Sequence, residues 1–219
     1  LAATPIAEEW LHTTEPGLSA SPACFLLRKW SISKGTNVEA CTSQVSLPSS
    51  LRLRPAVESD LAAIHEIYDE QVLHGTASFD TTPRTEAERL QWFHGWPRDR
   101  YPIIVAEKDG RVVGWGRLSP WSPRRAYDRT VENSVYVHRD FRGQGIGKLL
   151  LVELIRLGRE AGLGVIIARI THENPGSIAM HKAHGFRDIG VMHRAGEKFG
   201  RLLDVHMLEL HLDGWNEGA

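Results

Sequence analysis

Cysteine is nearly missing from this chain: 219 residues hold two, Cys24 and Cys41, and none follows. Two thiols are no disulfide framework, and one bridge between them would leave everything after residue 41 unstapled. They read as ordinary thiols in a reducing cytoplasm. No apolar run approaches the roughly 18 residues that cross a bilayer. An excess of one charge is lacking too. Lys and Arg number 26 against 27 Asp and Glu, a formal net charge of −1. No basic field therefore recommends nucleic acid or an anionic membrane as partner. Self-similarity at the roughly 20 to 50 residue periods of solenoids and propellers is absent. What remains is the profile of a globular protein, 42% hydrophobic and 24% charged, with room for one domain and an appendage, or at most two small domains.

Residues 1–50 are that appendage. They are rich in Ser, Thr, Ala and Pro and show no sustained periodicity. Ala23–Leu27 is too short for a signal core, and Glu8, Glu9, Glu15 and Glu39 argue against a transit peptide. A poorly ordered extension is expected, the alternative being an accessory segment packed through Trp10, Phe25 and Trp30. The domain is placed at 51–212 and a short tail at 213–219.

From Leu51 the pattern sharpens. Leu51–Pro55 alternates apolar and charged residues as a short strand does. Ser59 or Asp60 can cap a helix carrying Leu61, Ile64, Ile67, Tyr68 and Val72 and ending at Gly75. Thr85 with Glu88 forms a capping-box pattern for a second helix through Leu90 and Phe93. Ile103–Glu107 and Val112–Leu118 flank Asp109-Gly110, which predicts a hairpin. Pro120–Tyr127 is a loop, and Arg129–Val137 a strand. Ile146–Ala161 is an amphipathic helix closed near Gly162. Val165–Ile170 reads as an apolar run covered on both faces. Asn174 and Pro175 start a short helix that ends at Gly185-Phe186. Arg187–His193 and Leu202–Leu210 are strands around a Lys198–Arg201 turn. That order gives an α/β fold, a mixed sheet with helices on its faces.

Between the strand ending at Val137 and the helix starting at Ile146, Gly143, Gly145 and Gly147 stand at alternate positions. Glycine lets the backbone take positive φ and approach a ligand closely. The unpaired N–H groups of the helix's first turn then point at an anion in the loop. Arg142 and Lys148 add positive charge at its ends. A phosphate or pyrophosphate site follows. The dinucleotide fingerprint would need glycine where Lys148 stands, and a P-loop would need Ser or Thr where Leu149 stands. What fits is R-x-x-G-x-G over Arg142, Gly145 and Gly147. The rival reading is a glycine-rich turn without a ligand.

This pattern resembles the acetyl-CoA pyrophosphate loop of the GNAT superfamily of N-acetyltransferases. About 30 residues on, Asn174–Phe186 (N-P-G-S-I-A-M-H-K-A-H-G-F) is similar to the superfamily's second motif. Within it the likeness is greatest to the phosphinothricin and methionine sulfoximine or sulfone branch, carried by Tyr101–Glu107, Pro120-Trp121, Ala126-Tyr127, Thr130–Val137 and Lys198–Asp204. The resemblance implies a mostly antiparallel sheet flanked by helices, acetyl-CoA as co-substrate, no metal, a homodimer, and a small amino-acid-like acceptor. Protein or polyamine amines, or CoA binding without turnover, are the rival readings.

The same resemblance assigns residues. Val135, Tyr136, Val137, Arg142, Gly143, Gln144, Gly145, Ile146, Gly147, Lys148, Asn174 and Ser177 would hold the coenzyme, with Tyr136 and Val137 pairing with its pantetheine arm. The Val137 amide would receive the oxyanion. His181 stands where many members protonate the leaving thiolate; packing against the coenzyme without proton transfer is its alternative. Glu132 is the candidate base, because an amine attacking a thioester must lose a proton. On its strand it shares a face with Ser134 and Tyr136. Its alternative is an ion pair with a neighbouring Arg. Phe79 would form an aromatic wall, and Arg124, Arg125 and Tyr127 would hold the acceptor's carboxylate. Ser122 stands where relatives often carry a basic residue. His181 and His184 also have the spacing of a metal pair, with no further ligands at useful spacing.

Overall fold

The computed structural model describes residues 51–214. The expected extension over 1–50, its two cysteines and most of the expected tail lie outside the described residues. The elements run β1 (Arg52–Pro55), α1 (Leu61–His74), α2 (Glu86–His94), β2 (Ile103–Lys108) and β3 (Arg111–Pro120). They continue through β4 (Thr130–Val137), α3 (Ile146–Glu160), β5 (Val165–Thr171), α4 (Pro175–Lys182), β6 (Arg187–Lys198) and β7 (Arg201–His211). One seven-stranded sheet takes the order β1-β2-β3-β4-β5-β7-β6. Every neighbouring pair is antiparallel except β4 and β5. The expected mixed, mostly antiparallel sheet is the one observed.

Each face of the sheet has its own core. α3 buries Ile146, Leu150, Leu151, Leu154 and Ile155 against Ile104, Ala106, Val131, Ile166 and Ala168. Burying one such side chain fully is worth roughly 1.5–3 kcal/mol, so this stripe alone fixes α3 on the sheet. A Cβ at Gly116 would stand 3.0 Å from Leu154 Cδ1, which is why β3 carries glycine under the helix. On the other face α1 and α2 pack Ile64, Ile67, Tyr68, Val72 and Phe93 over Ile103, Val105 and Trp115. Among the described residues no helix is long and apolar enough to cross a membrane.

The local signals hold where their chemistry is local. Thr85 accepts from the Glu88 amide at 3.4 Å and Glu88 accepts in return from the Thr85 amide at 2.8 Å. Asp109 and Gly110 both take positive φ, 52° and 79°, in the β2–β3 turn. Asp60 departs from the expected cap. It turns back to accept the Val57 amide at 2.8 Å and both arms of Arg54 at 2.7 and 2.8 Å. The Arg54 guanidinium holds its carboxyl below the usual range. β6 and β7 run longer than expected, their register interrupted between Asp188 and Gly190 and between Met192 and Gly196.

Candidate active site

β4 and β5 pair only over Thr130–Glu132 against Val165–Ile167. Beyond Glu132 they diverge, while β5 stays paired to β7 as far as Thr171. On the other side of β4, Thr130 accepts the Trp121 amide and His138 donates to Val113. Alternate residues of an antiparallel strand direct both main-chain groups to the same neighbour. The even residues of β4 therefore serve β3, and Asn133, Val135 and Val137 turn theirs into the opening. Tyr136 is spent on β3 in its backbone. Its ring stacks on Trp115 and its hydroxyl donates to the Ala77 carbonyl at 3.1 Å. Strand-like pairing was expected through Tyr136 and Val137; the main-chain groups of Tyr136 are directed to β3 instead of the opening.

A cavity of about 690 Å³ begins at this opening. Of the residues expected to hold the coenzyme, it is lined by Val135, Tyr136, Val137, Arg142, Gly143, Gly145, Ile146, Gly147, Lys148, Asn174 and Ser177. Gly145 caps α3 at φ 81° with no side chain on the first-turn amides, and Gly143 has φ 75°. A Cβ at either would meet nothing within 4 Å; the backbone conformation alone calls for glycine. Gln144 does not line this cavity. It is held by the Asp140 carbonyl and Lys108, each at 3.3 Å. Arg142 is braced by Glu70 at 2.7 Å and donates from Nε to the Val137 carbonyl at 3.1 Å. Asn174 accepts the Ser177 amide at 3.3 Å as a helix cap.

Two smaller cavities continue past the split. One of about 80 Å³ is lined by Glu132, Asn133, Val135, Thr171, Asn174, Ser177 and His181 among others. The next, about 230 Å³, is walled by Phe79, Glu132, Arg169, Thr171, Met192, Ala195 and Val205. Glu132 belongs to both. Arg169 grips its two oxygens from Nε and Nη2, each at 2.7 Å, so the ion-pair alternative for Glu132 is realised. Arg124, Arg125 and Tyr127 are exposed and line none of these three cavities.

His181 is buried, 3% exposed. Nδ1 lies 2.8 Å from the Ser177 carbonyl, which accepts only, so that nitrogen carries the proton. Nε2 then accepts from Asn133 at 2.9 Å. Burial lowers its pKa, and the ring is held neutral with both nitrogens occupied. His184 likewise turns Nδ1 to the Met180 carbonyl, at 2.7 Å. The two do not share a ligand.

Sequence reasoning missed Arg169, although a signal existed: it is the one charge in Val165–Ile170. That run is therefore not apolar on both faces as expected. Lys198 and Thr171 were also missed. Thr171 Oγ1 is buried without a partner at the cavity walled by Phe79, Glu132 and Arg169.

A parallel strand pair thus splays open beside a glycine-led helix start, with a carboxylate at the split. Residues 61–186 match the Acetyltransferase (GNAT) family, and the chain belongs to it. It is 41% identical, over 75% of its length and 96% of the other's, to an L-methionine sulfoximine/L-methionine sulfone acetyltransferase of Pseudomonas paraeruginosa. A phosphinothricin N-acetyltransferase of Streptomyces viridochromogenes is 36% identical, over 71% of this chain and 84% of the relative. Among solved structures, a GNAT superfamily phosphinothricin acetyltransferase of Sinorhizobium meliloti in complex with AcCoA has a TM-score of 0.69. It shares 42% identity, over 74% of this chain and 88% of that one. The chain is accordingly an N-acetyltransferase, an enzyme class whose acetyl donor is acetyl-CoA.

Proposed function

We propose that this enzyme acetylates the α-amino group of a small amino-acid-like substrate of the phosphinothricin, methionine sulfoximine or methionine sulfone type, by direct attack in a ternary complex. The relatives' activities support the substrate class. The position of Glu132 carries the reading: its carboxylate borders both the passage from the coenzyme cavity and the acceptor-side cavity.

Acetyl-CoA fits the larger cavity, where bare first-turn amides, glycine at 143 and 145, and Lys148 face a diphosphate. Val135, and the amide of Val137, whose carbonyl is held by Arg142, offer main-chain groups to an extended pantetheine arm. Bound there, acetyl-CoA would supply an activated acetyl group, which the amine takes in exchange for the CoA thiol. Of the three protons on the substrate ammonium, one stays on the amide, one ends on the CoA thiol and one goes to solvent. Glu132 accepts the first proton to leave.

Strand spacing decides the oxyanion donor. Val137 stands roughly 17 Å along the strand from Glu132 and Val135 roughly 10 Å. Only Val135 also borders the cavity that Glu132 shares. We therefore move oxyanion donation from Val137 to the Val135 amide. His181, with its proton committed to Ser177, acts by holding Asn133 and the α4 turn in place. A homodimer draws support from the edge strand β6, which leaves Ile189 and Val191 exposed; a single-subunit mass in light scattering would remove that part of the reading.

Glu132→Gln tests the assignment. We expect kcat/KM for methionine sulfone to fall about 10²- to 10⁴-fold, with calorimetric affinity for acetyl-CoA unchanged. Full turnover by this variant, or wild-type enzyme that acetylates a lysine peptide and no amino acid, would sink the reading.

A further inference from the structure

Glu132 and Arg169 together have a property that neither has alone. The guanidinium meets Glu132 along its Nε–Nη2 edge. A guanidinium has a second edge, Nη1–Nη2, of the same fork geometry. Among the described residues no acceptor is bonded to Nη1. The group rises from β5 into the acceptor-side cavity, 5.6 Å over the ring of Trp121. Beside the pair, Thr171 Oγ1 is buried and unpartnered. The remaining wall is apolar: Phe79, Met192, Ala195 and Val205.

We propose that Arg169 is the carboxylate anchor of the acceptor, and that Arg169 and Glu132 together form a receptor for an amino-acid zwitterion. This rests on the function proposed above and names what its acceptor must carry. An α-amino acid holds ammonium and carboxylate on one carbon. The ion pair presents their complements at the same spacing, a carboxylate for the ammonium and an open guanidinium edge for the carboxylate. Each substrate charge finds its partner without breaking the pair already there. Bidentate seating on Arg169 directs the nitrogen at Glu132, and the side chain is left against Phe79 and Met192. Arg124 and Arg125, exposed on their loop, are not needed for this contact. Arg169 is a specificity-determining residue, and an amine lacking the neighbouring carboxylate is a poor acceptor whatever its side chain.

The test compares two acceptors on two enzymes: methionine sulfone, and methionine sulfone amide, which keeps the amine and loses the negative charge. The wild-type enzyme is expected to favour the acid by about 10- to 100-fold in kcat/KM, the range of a charge-assisted pair. In Arg169→Gln that preference collapses toward unity through loss on the acid, chiefly in KM. Arg169→Lys, which keeps the charge without the fork, retains part of it. Calorimetric uptake of acetyl-CoA checks that both variants are folded. Turnover of the acid with a preference untouched in both variants would overturn this inference and leave the function standing. Failure of the wild-type enzyme to acetylate the amino acid at all would overturn both.

Discussion

Lys198, at the end of β6, donates from its ammonium to the carbonyl of Ser78 at 2.6 Å and to that of Gln71 at 2.9 Å. The β6–β7 hairpin is thereby tied to the end of α1 and to the segment that carries Phe79. Gly196 completes the tie, since the Phe79 ring fills the space a side chain there would need. Lys198→Met keeps the length and deletes the charge, leaving two carbonyls unsatisfied. At about 2 kcal/mol for the loss, the melting temperature should drop by about 5 °C. KM for the acceptor should rise several-fold as Phe79 loosens. An acceptor KM equal to wild type would show that the tie does not position the wall.

Acid should weaken this protein through a histidine remote from the chemistry. His65 is 1% exposed, sits edge-on to Tyr68 and Trp92, and has no partner on either ring nitrogen. Burial, with Arg89 and Arg84 nearby, lowers its pKa to about 4. A folded-state pKa below the unfolded value means that the unfolded chain binds the extra proton. Stability is complete above pH 6.5 and is lost as pH falls toward 4, by about 3 kcal/mol in total. Burial lowers the pKa of His181 as well, so that ring contributes in the same direction. Melting temperatures between pH 7.5 and 4.5 check this. In His65→Leu the slope should flatten, and an equal slope in both proteins counts against the assignment.

Gly145 offers a separate handle on the coenzyme. With φ at 81° and open space around it, Gly145→Ala strains the backbone without a clash. A cost of about 1 kcal/mol is expected. The first-turn amides of α3 should then turn off the diphosphate. KM for acetyl-CoA should rise by roughly tenfold while the acceptor's KM holds, a split that steady-state kinetics reads directly. Equal rises in both would point to general loss of fold.

Much of this was legible in the sequence because its determinants are local. The capping box at Thr85, the turn at Asp109-Gly110 and the glycine-led start of α3 are each set by a few neighbouring residues. Pairing across long separations was not. Asp60 has the chemistry of a cap, yet Arg54, brought alongside by β1, takes its carboxylate. The face of Glu132 followed from strand alternation, but the identity of its partner depended on which residue of β5 stands opposite. Arg124 and Arg125 had the right functional group in a loop of the right place, and only the folded loop shows them turned to solvent. The direction of the Tyr136 backbone required knowing which neighbour its strand had already paired with.

The gap between β4 and β5 leaves this sheet one member short. Past Glu132, β4 and β5 leave their ladder open in the middle of the sheet, where most proteins would have closed it. On the function proposed above, a pantetheine chain lying there would act as borrowed backbone, and occupancy would finish the architecture as well as the chemistry. Loading the donor should therefore tighten both halves of the sheet at once, so that the acceptor meets a firmer enzyme than the one that first met the coenzyme.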